Sequence, residues 1–196
     1  MGRKIVVTSG KGGVGKTTLT ASLGIAIAET GKKVVLVDAD IGLNNLDVVL
    51  AVENKVVYDV LDVISGKCRL KQALIQDVDN PTLYVLPSAK IQDSPLITAC
   101  SFRNVVDALA LNFDFVIIDC PAGIDNGFHR AVSAATEAIV VTTPHISAVR
   151  DADKVLSILS GYCLMSVGLV VNRVRGDMVS KGEMMSAGDI VRAVRC

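Results

Sequence analysis

The 196-residue chain contains no tryptophan, few other aromatic residues and no surplus of either charge. Its 20 basic residues balance 20 acidic ones, so the composition does not indicate the basic surface of a general nucleic-acid binder. No apolar run approaches the roughly 20 residues that cross a bilayer, and no signal peptide follows the basic residues Arg3 and Lys4. We therefore expect a cytoplasmic globular protein.

Cysteine and histidine form no motif in this sequence. The five cysteines are scattered without a CxxC pair, and the two histidines do not cluster with them. In a cytosolic chain we expect the cysteines to be reduced and mostly buried, with no disulfide framework. The residues concerned are Cys68, Cys100, Cys120, Cys163, Cys196, His129 and His145.

Short apolar runs alternate with longer segments of helical periodicity. This alternation predicts an α/β fold: an open, mostly parallel, doubly wound sheet with helices on both faces. The hydrophobic content of 51% suits strands that are buried on both sides. The predicted strands are 4–8, 34–37, 83–86, 115–118, 138–142 and 167–172, and the main predicted helices are 17–29, 102–111, 130–136, 148–159 and 187–195. Because no repeat or linker interrupts the chain, we predict one domain over 1–196.

Residues 10–17 fit the phosphate-loop pattern G-x-x-x-x-G-K-[ST], between a predicted strand and a predicted helix. The glycines let the loop turn tightly, so that its backbone amides converge on phosphate oxygens. We expect Lys16 to reach the β- and γ-phosphates, Thr17 to ligate Mg²⁺ and Thr18 to donate to the α-phosphate. The predicted nucleotide-binding residues of this loop are Gly10, Lys11, Gly12, Gly13, Val14, Gly15, Lys16, Thr17 and Thr18.

Acidic residues end two other predicted strands. Asp119 follows an apolar run, in the position of a carboxylate that holds magnesium through water, and the Gly123 amide is predicted to meet the γ-phosphate. Of the two acids that end the second strand, we predict Asp38 near the metal's water shell. Asp40 is predicted to orient or deprotonate the attacking water. Turn-forming acids at strand ends are the plainer alternative for these carboxylates.

The sequence favours adenine as the base. A guanine-recognising Asn-Lys-x-Asp motif is missing: Val57 stands where the aspartate would follow Asn54, and Arg175 stands where it would follow Asn172. We predict that Asn172 contacts the base, with Arg173 beside it in the nucleotide site.

The stretch Gly10-Lys11-Gly12-Gly13-Val14-Gly15-Lys16-Thr17-Thr18 resembles the deviant Walker A loop of the MinD/ParA ATPases. Similar stretches lie at 37–47, 117–124, 147–153 and 172–178, and those at 42–47 and 150–153 narrow the resemblance to the MinD family of division-site regulators. The resemblance implies a P-loop NTPase of the SIMIBI type that binds ATP and Mg²⁺.

In that family the extra lysine reaches across an ATP-bound homodimer to the partner's phosphates, as a trans arginine finger would. The catalytic residues implied are Lys11, Lys16 and Asp40, and the metal-binding residues are Thr17, Asp38 and Asp119. A solvated loop lysine is the alternative for Lys11.

The resemblance further implies a switch that places the division septum. ATP-bound dimers would bind the anionic inner face of the cell membrane reversibly through a C-terminal amphipathic helix, because two weak anchors hold where one does not. A MinC-like regulator would bind the ATP form, and a MinE-like regulator would stimulate hydrolysis. Their surface would include Arg150, Asp151 and Asp153, although acids near a helix N-terminus also have a purely structural use.

Members of the family continue past the position that aligns with Cys196. We therefore expect this chain to lack C-terminal strands and the membrane helix, and to bind membranes poorly. Within 187–195 the apolar residues Ala187, Ile190, Val191 and Val194 form one stripe, which indicates a core-facing surface helix rather than an anchor.

Other classes share the phosphate loop. A ParA-like partitioning ATPase would need a basic DNA-binding surface, for which the zero net charge gives little support, so no specific nucleic acid is expected. A metal-cluster carrier would need paired cysteines. A scaffold that binds ATP without turnover would not need Asp40 or Lys11.

Overall fold

The structure is a computed structural model that describes residues 1–42, 45–89 and 95–194. Parts of the sequence discussed above, Leu43, Asn44, Arg195 and Cys196, lie outside these ranges. The strands are β1 (Arg3–Thr8), β2 (Val34–Asp38), β3 (Ile75–Gln76), β4 (Leu83–Leu86), β5 (Phe115–Asp119), β6 (Glu137–Thr142) and β7 (Ser166–Val171). They form one sheet in the order β3-β4-β2-β5-β1-β6-β7.

Helices surround this sheet. Those of the described ranges are α1 (Lys16–Ala28), α2 (Leu46–Val49), α3 (Val60–Ile64), α4 (Leu70–Ala73), α5 (Ala99–Ala110), α6 (Asn126–Ala134), α7 (Ile146–Leu159), α8 (Gly176–Ser180) and α9 (Ala187–Ala193), with a 3₁₀ turn at Glu53–Lys55. The predicted strands and main helices are all present, with ends that differ by a few residues. The prediction of an open, doubly wound α/β sheet is confirmed.

Continuous apolar strands explain the two-sided burial of the sheet. In β2, Val35 and Val37 face the core beneath α5, α6 and α7, whereas Val34 and Leu36 face the core beneath α1. Gly24 brings α1 close to the sheet, since a Cβ atom there would lie 2.6 Å from a Leu36 methyl. The sheet is therefore held rigidly between two helical layers.

All neighbouring strands are parallel except β3 and β4. The carboxyl ends of β1, β2, β5 and β7 therefore meet at one edge of the sheet. This geometry collects the phosphate loop, Asp38, Asp119 and Asn172, although they are far apart in sequence. In doubly wound folds, this edge is where ligands bind.

Two sequence-based expectations about burial were wrong in part. Among the described cysteines only Cys120 is buried; Cys68 is half-buried, and Cys100 and Cys163 are exposed as free thiols. The second expectation concerned the apolar stripe of α9, of which fewer residues are buried than predicted. Helix periodicity shows that a stripe exists but not how many of its residues the rest of the protein covers.

Ile190 of α9 and Val194, the residue after this helix, are buried against Val149 of α7, as expected of a core-facing helix. Val191 is 56% exposed and Ala187 is also exposed, which narrows the predicted stripe to two residues. No helix among the described residues is long and apolar enough to span a bilayer.

Candidate nucleotide-binding site

The phosphate loop runs from the end of β1 to the first turn of α1. Gly13 and Gly15 adopt left-handed φ values of 73° and 101°, which strongly favour glycine. A hydroxyl from Ser9 donates to the Lys11 carbonyl at 2.7 Å and fixes the first turn of the loop. The α1 N-terminus then presents its amides from Lys16 onward, which makes an anion-binding cradle.

Lys16 is nearly buried, with 9% of its surface exposed. Its charge lowers the pKa of both Asp40 and Asp119, although burial outweighs this influence at each carboxyl. The lysine therefore lies close to both acids at the start of α1, and its contact with phosphates stays a prediction.

Asp38 and Asp119 are paired in register at the ends of β2 and β5. Their exposed fractions are 1% and 2%. Burial raises the pKa of Asp38 to about 7 and that of Asp119 to about 6, because the charged carboxylates lose their hydration. Backbone amides of Asp40 and Leu46 donate to Asp38 and partly oppose its shift.

The Asp119 carboxylate is also joined to α1. The hydroxyl of Thr20 donates to it at 3.4 Å, and a hydrogen bond from Thr17 lowers the pKa of Asp119. Thr20 was missed by the sequence analysis, because it lies past the motif on the buried side of α1. Thr17 and Asp119, both predicted to hold the metal, are therefore in contact.

This arrangement fits Mg²⁺. The described residues hold no cluster of three histidine, cysteine or acidic ligands that would enclose a metal by themselves. Magnesium usually takes one or two carboxylates and completes its shell with waters and substrate phosphates. Two buried acids with raised pKa values beside an anion cradle match that requirement.

Asp40 is half-buried, and its backbone amide donates to the Asp38 carboxylate at 2.9 Å. This short-range bond is the turn-forming contact that the plainer alternative expected of Asp38. The Asp40 carboxylate lies close to Lys16 and Asp119. The charge of Lys16 lowers the pKa of Asp40, and the charge of Asp40 raises the pKa of Asp119. The structure thus brings Asp40 to the phosphate loop.

Gly123 also lies against the phosphate loop. Its φ is 91°, and its amide donates to the Ser9 carbonyl at 3.3 Å. The Gly123 amide therefore lies at the start of the phosphate loop, where it already donates a long hydrogen bond to Ser9. A contact with a γ-phosphate would have to replace that bond.

Asn172 makes a contact that the sequence did not predict. Its side-chain Nδ2 donates to the Val14 carbonyl at 2.8 Å, and its Oδ1 accepts the Arg173 amide at 2.8 Å. A Cβ on Gly15 would lie 2.5 Å from the same Nδ2. Asn172 therefore ties the end of β7 to the phosphate loop, whereas Arg173 is exposed with φ at 61°.

Lys11 is exposed and bonds within its own chain. Its Nζ donates to Ser147 Oγ at 2.9 Å, at the start of α7. Nearby, a Cβ on Gly10 would lie 2.5 Å from the Asp151 carbonyl oxygen, so the loop and α7 pack backbone to backbone. Ser147 begins one of the MinD-like stretches, but nothing in the sequence paired it with Lys11.

These contacts place the predicted partner surface directly beside the phosphate loop. Arg150 is exposed on α7, while Asp151 and Asp153 are partly buried. Asp151 also forms an ion pair with Lys154 at 3.6 Å. The helix that carries these residues is therefore physically joined to the nucleotide site.

Comparison with known proteins agrees with this geometry. A family model described as an AAA domain matches residues 2–161. The chain is 51% identical over 190 residues to a putative septum site-determining protein MinD of Guillardia theta, covering 97% of this chain and 71% of that protein.

Solved structures of MinD proteins have the same fold. The MinC:MinD cell division complex of Aquifex aeolicus aligns with a TM-score of 0.89 at 43% identity, covering 98% of this chain and 77% of that one. MinD of Pyrococcus horikoshii, complexed with Mg-ADP, aligns with a TM-score of 0.86 at 34% identity. The alignment covers 99% of this chain and 78% of that one. Together with the phosphate loop, these similarities show that the chain belongs to the MinD family of septum site-determining P-loop proteins.

Proposed function

We propose that this protein is an Mg²⁺-dependent ATPase whose ATP-bound homodimer regulates the position of the division septum. The observation that carries the proposal is the convergence of Lys16, Asp38, Asp40 and Asp119 on the phosphate loop. A cation, two buried carboxylates and a half-buried one surround an anion cradle at the ligand-binding edge of the sheet. The Mg-ADP complex of the Pyrococcus relative supports the choice of nucleotide and metal.

Each group has a distinct part in hydrolysis. The loop amides and Lys16 bind phosphate oxygens and offset their charge. Thr17, Asp38 and Asp119 would hold Mg²⁺, which neutralises charge on the phosphates when bound. Asp40 orients the attacking water and accepts its proton, for which a pKa raised by burial is an advantage.

We assign Lys11 a role in trans. Its ammonium group is exposed at the loop surface and, among the described residues, bonds only the neutral hydroxyl of Ser147, so moving it to a phosphate of a second protomer breaks no ion pair with them. A further cation at the transferred phosphoryl group would stabilise the charge that develops there. Dimerisation then completes the active site.

The α7 surface is the proposed docking site for MinC-like and MinE-like regulators. Ile146 is 68% exposed, and a cavity of about 220 Å³ lies among Ile146, Val149, Arg150 and Asp153. Because Lys11 and Gly10 contact this helix, a change at the loop alters the surface that a partner meets. The MinC:MinD complex of the Aquifex relative supports a partner of the first kind.

We further propose a cytoplasmic protein that associates reversibly with the inner face of the cell membrane. Ile190 of α9 and Val194, which follows this helix, are buried, so we do not assign a membrane-binding face to this helix. We place the anchor in a C-terminal helix of the complete protein.

Sedimentation of the complete gene product with anionic liposomes, and separately with duplex DNA, tests this proposal. We expect binding to liposomes in ATP but not in ADP, and no pelleting with DNA. A Lys16→Gln variant, which loses the phosphate contact, should not bind in either nucleotide. Binding to DNA alone would instead support a ParA-like partitioning ATPase.

A further inference from the structure

A second cavity lies at the end of the sheet opposite the phosphate loop. It has a volume of about 480 Å³ and is bounded by α4, by the last turn of α5 and by the starts of β2 and β4. At about 3.3 Å per strand residue, the five residues of β2 separate it from Asp38 by roughly 15 Å. This cavity is therefore distinct from the proposed nucleotide site, and the inference does not rest on that site.

Apolar side chains form much of its wall. Leu70 is the first residue of α4, and Leu74 follows its last residue. Leu109 lies in the last turn of α5, Phe113 lies three residues after this helix, and Tyr84 belongs to β4. The rings of Tyr84 and Phe113 pack edge to face, with centroids 5.3 Å apart and an interplanar angle of 71°. This pair fixes one side of the cavity in a geometry that aromatic rings favour.

The wall also carries two positive charges. Lys33 and Lys71 line the cavity and are both exposed. Within the described parts of the chain, neither ammonium group forms an ion pair. Asp114, which follows the lining residue Phe113, accepts a hydrogen bond from the backbone amide of Lys33 at 2.9 Å rather than from its ammonium group.

Of the residues that the structure describes, no acidic one lines the cavity itself. An apolar enclosure with a few polar groups, within roughly 300–1,000 Å³, is the usual form of a small-molecule site. Two cations without a matching acid favour a ligand that brings its own negative charge. At roughly 30 Å³ for a water-sized group, the space admits a molecule of up to about sixteen non-hydrogen atoms.

We propose that this cavity is a binding site for a small amphipathic anion, a carboxylate that carries a short alkyl or arylalkyl group. The apolar part lies against Leu70, Leu74 and the Tyr84–Phe113 pair, and the carboxylate is held by Lys33 and Lys71. A ligand bound here would contact α4 and α5 but no residue of the phosphate loop.

Titration of the 196-residue protein with 4-phenylbutyrate, followed by ¹H–¹⁵N NMR, tests the proposal. The control ligand is 4-phenylbutanol, which has the same phenylalkyl group but no negative charge. We expect shifts confined to residues 33, 70–74, 84 and 108–113, and at least tenfold tighter binding of the carboxylate. Equal affinity for the two ligands, or displacement of phenylbutyrate by Mg-ADP, would overturn the assignment.

Two variants separate the charged part of the site from the apolar part. Lys33→Gln combined with Lys71→Gln changes only exposed side chains and should make the acid and the alcohol bind alike. Ala108→Leu, which adds volume from the wall of the cavity, should weaken both ligands at least tenfold. A double glutamine variant that still prefers the acid tenfold would contradict the role of the lysines.

Discussion

Asp38 and Asp119 lie opposite each other on adjacent parallel strands, and both are almost completely buried. Two carboxylates in this position resist ionisation, since each loses its hydration and the charge of Asp119 also raises the pKa of Asp38. The fold therefore holds an unfavourable pair of acids at the place where a cation and phosphates are expected to bind.

The first prediction concerns the pH dependence of stability without ligands. The folded-state pKa values of about 7 and about 6 lie above the unfolded aspartate value of about 3.9. Between these limits the folded protein binds more protons than the unfolded chain, so the free energy of unfolding should fall as pH rises from about 4 to 7. Each carboxyl contributes a slope of up to about 1.4 kcal/mol per pH unit.

Urea unfolding at several pH values in this range measures that slope. Asp38→Asn and Asp119→Asn should each flatten it, because neither variant titrates at that position. Asp79→Asn makes the same chemical change at an exposed turn residue and should leave the slope as it is. If both buried variants keep the wild-type slope, the two acids do not cause the pH dependence of the free energy of unfolding.

The second prediction concerns Asp40. Asp40→Ala should lower kcat by about 10²–10⁴, the usual contribution of a general base, and leave the affinity for Mg-ATP within a few-fold. Glu53→Gln, an exposed acid farther along the chain, should hydrolyse ATP at the wild-type rate. Steady-state ATPase rates and nucleotide titrations supply both numbers, and an active Asp40→Ala protein would remove the assignment.

The third prediction concerns the bond between Asn172 and Val14. Asn172→Asp removes the donor to the loop carbonyl and introduces a negative charge near the phosphates. Loss of one such bond costs about 1 kcal/mol, and the added repulsion should bring the loss of Mg-ADP affinity to at least about tenfold. Calorimetric titration measures this, with Asn54→Asp as the exposed control. Unchanged affinity would leave Asn172 without a part in the site.

The fourth prediction separates the two contacts of Lys11. Ser147→Ala removes the hydroxyl that accepts from Lys11 in the monomer but leaves the lysine able to reach a partner. Its ATPase rate should stay within about threefold of wild type, whereas Lys11→Ala should lose about 10³-fold or more, as when an arginine finger is removed. Equal losses in both variants would show that the bond to Ser147 is itself required.

The sequence predicted the parts of the fold that depend on long patterns. Apolar runs such as 115–118 and the glycine-rich loop have strong local signals, so their strands and turn were identified correctly. The two-residue strand β3 and the short helices α2, α3, α4 and α8 were missed, because a few residues show no periodicity. In α3 a capping box between Asp59 and Asp62 supplies the local stability instead.

Tertiary contacts within the site were beyond sequence reasoning. The bonds from Asn172 to Val14 and from Lys11 to Ser147 join residues more than a hundred positions apart, and no motif marks either pair. They exist only because β6 pairs with both β1 and β7, which brings the end of β7 and the start of α7 to the phosphate loop. The raised pKa values of Asp38 and Asp119 likewise depend on burial that the sequence does not display.

Mixing two inactive variants tests the central claim, that Lys11 completes the active site of a second protomer. In a heterodimer of Lys11→Ala with Asp40→Ala, one site keeps its own Asp40 and receives Lys11 from the other chain. An equal mixture should therefore recover about a quarter of the wild-type ATPase rate, since about half of the dimers are mixed and each has one complete site. No recovery, although mixed dimers form in ATP, would contradict the account and place the action of Lys11 within its own chain.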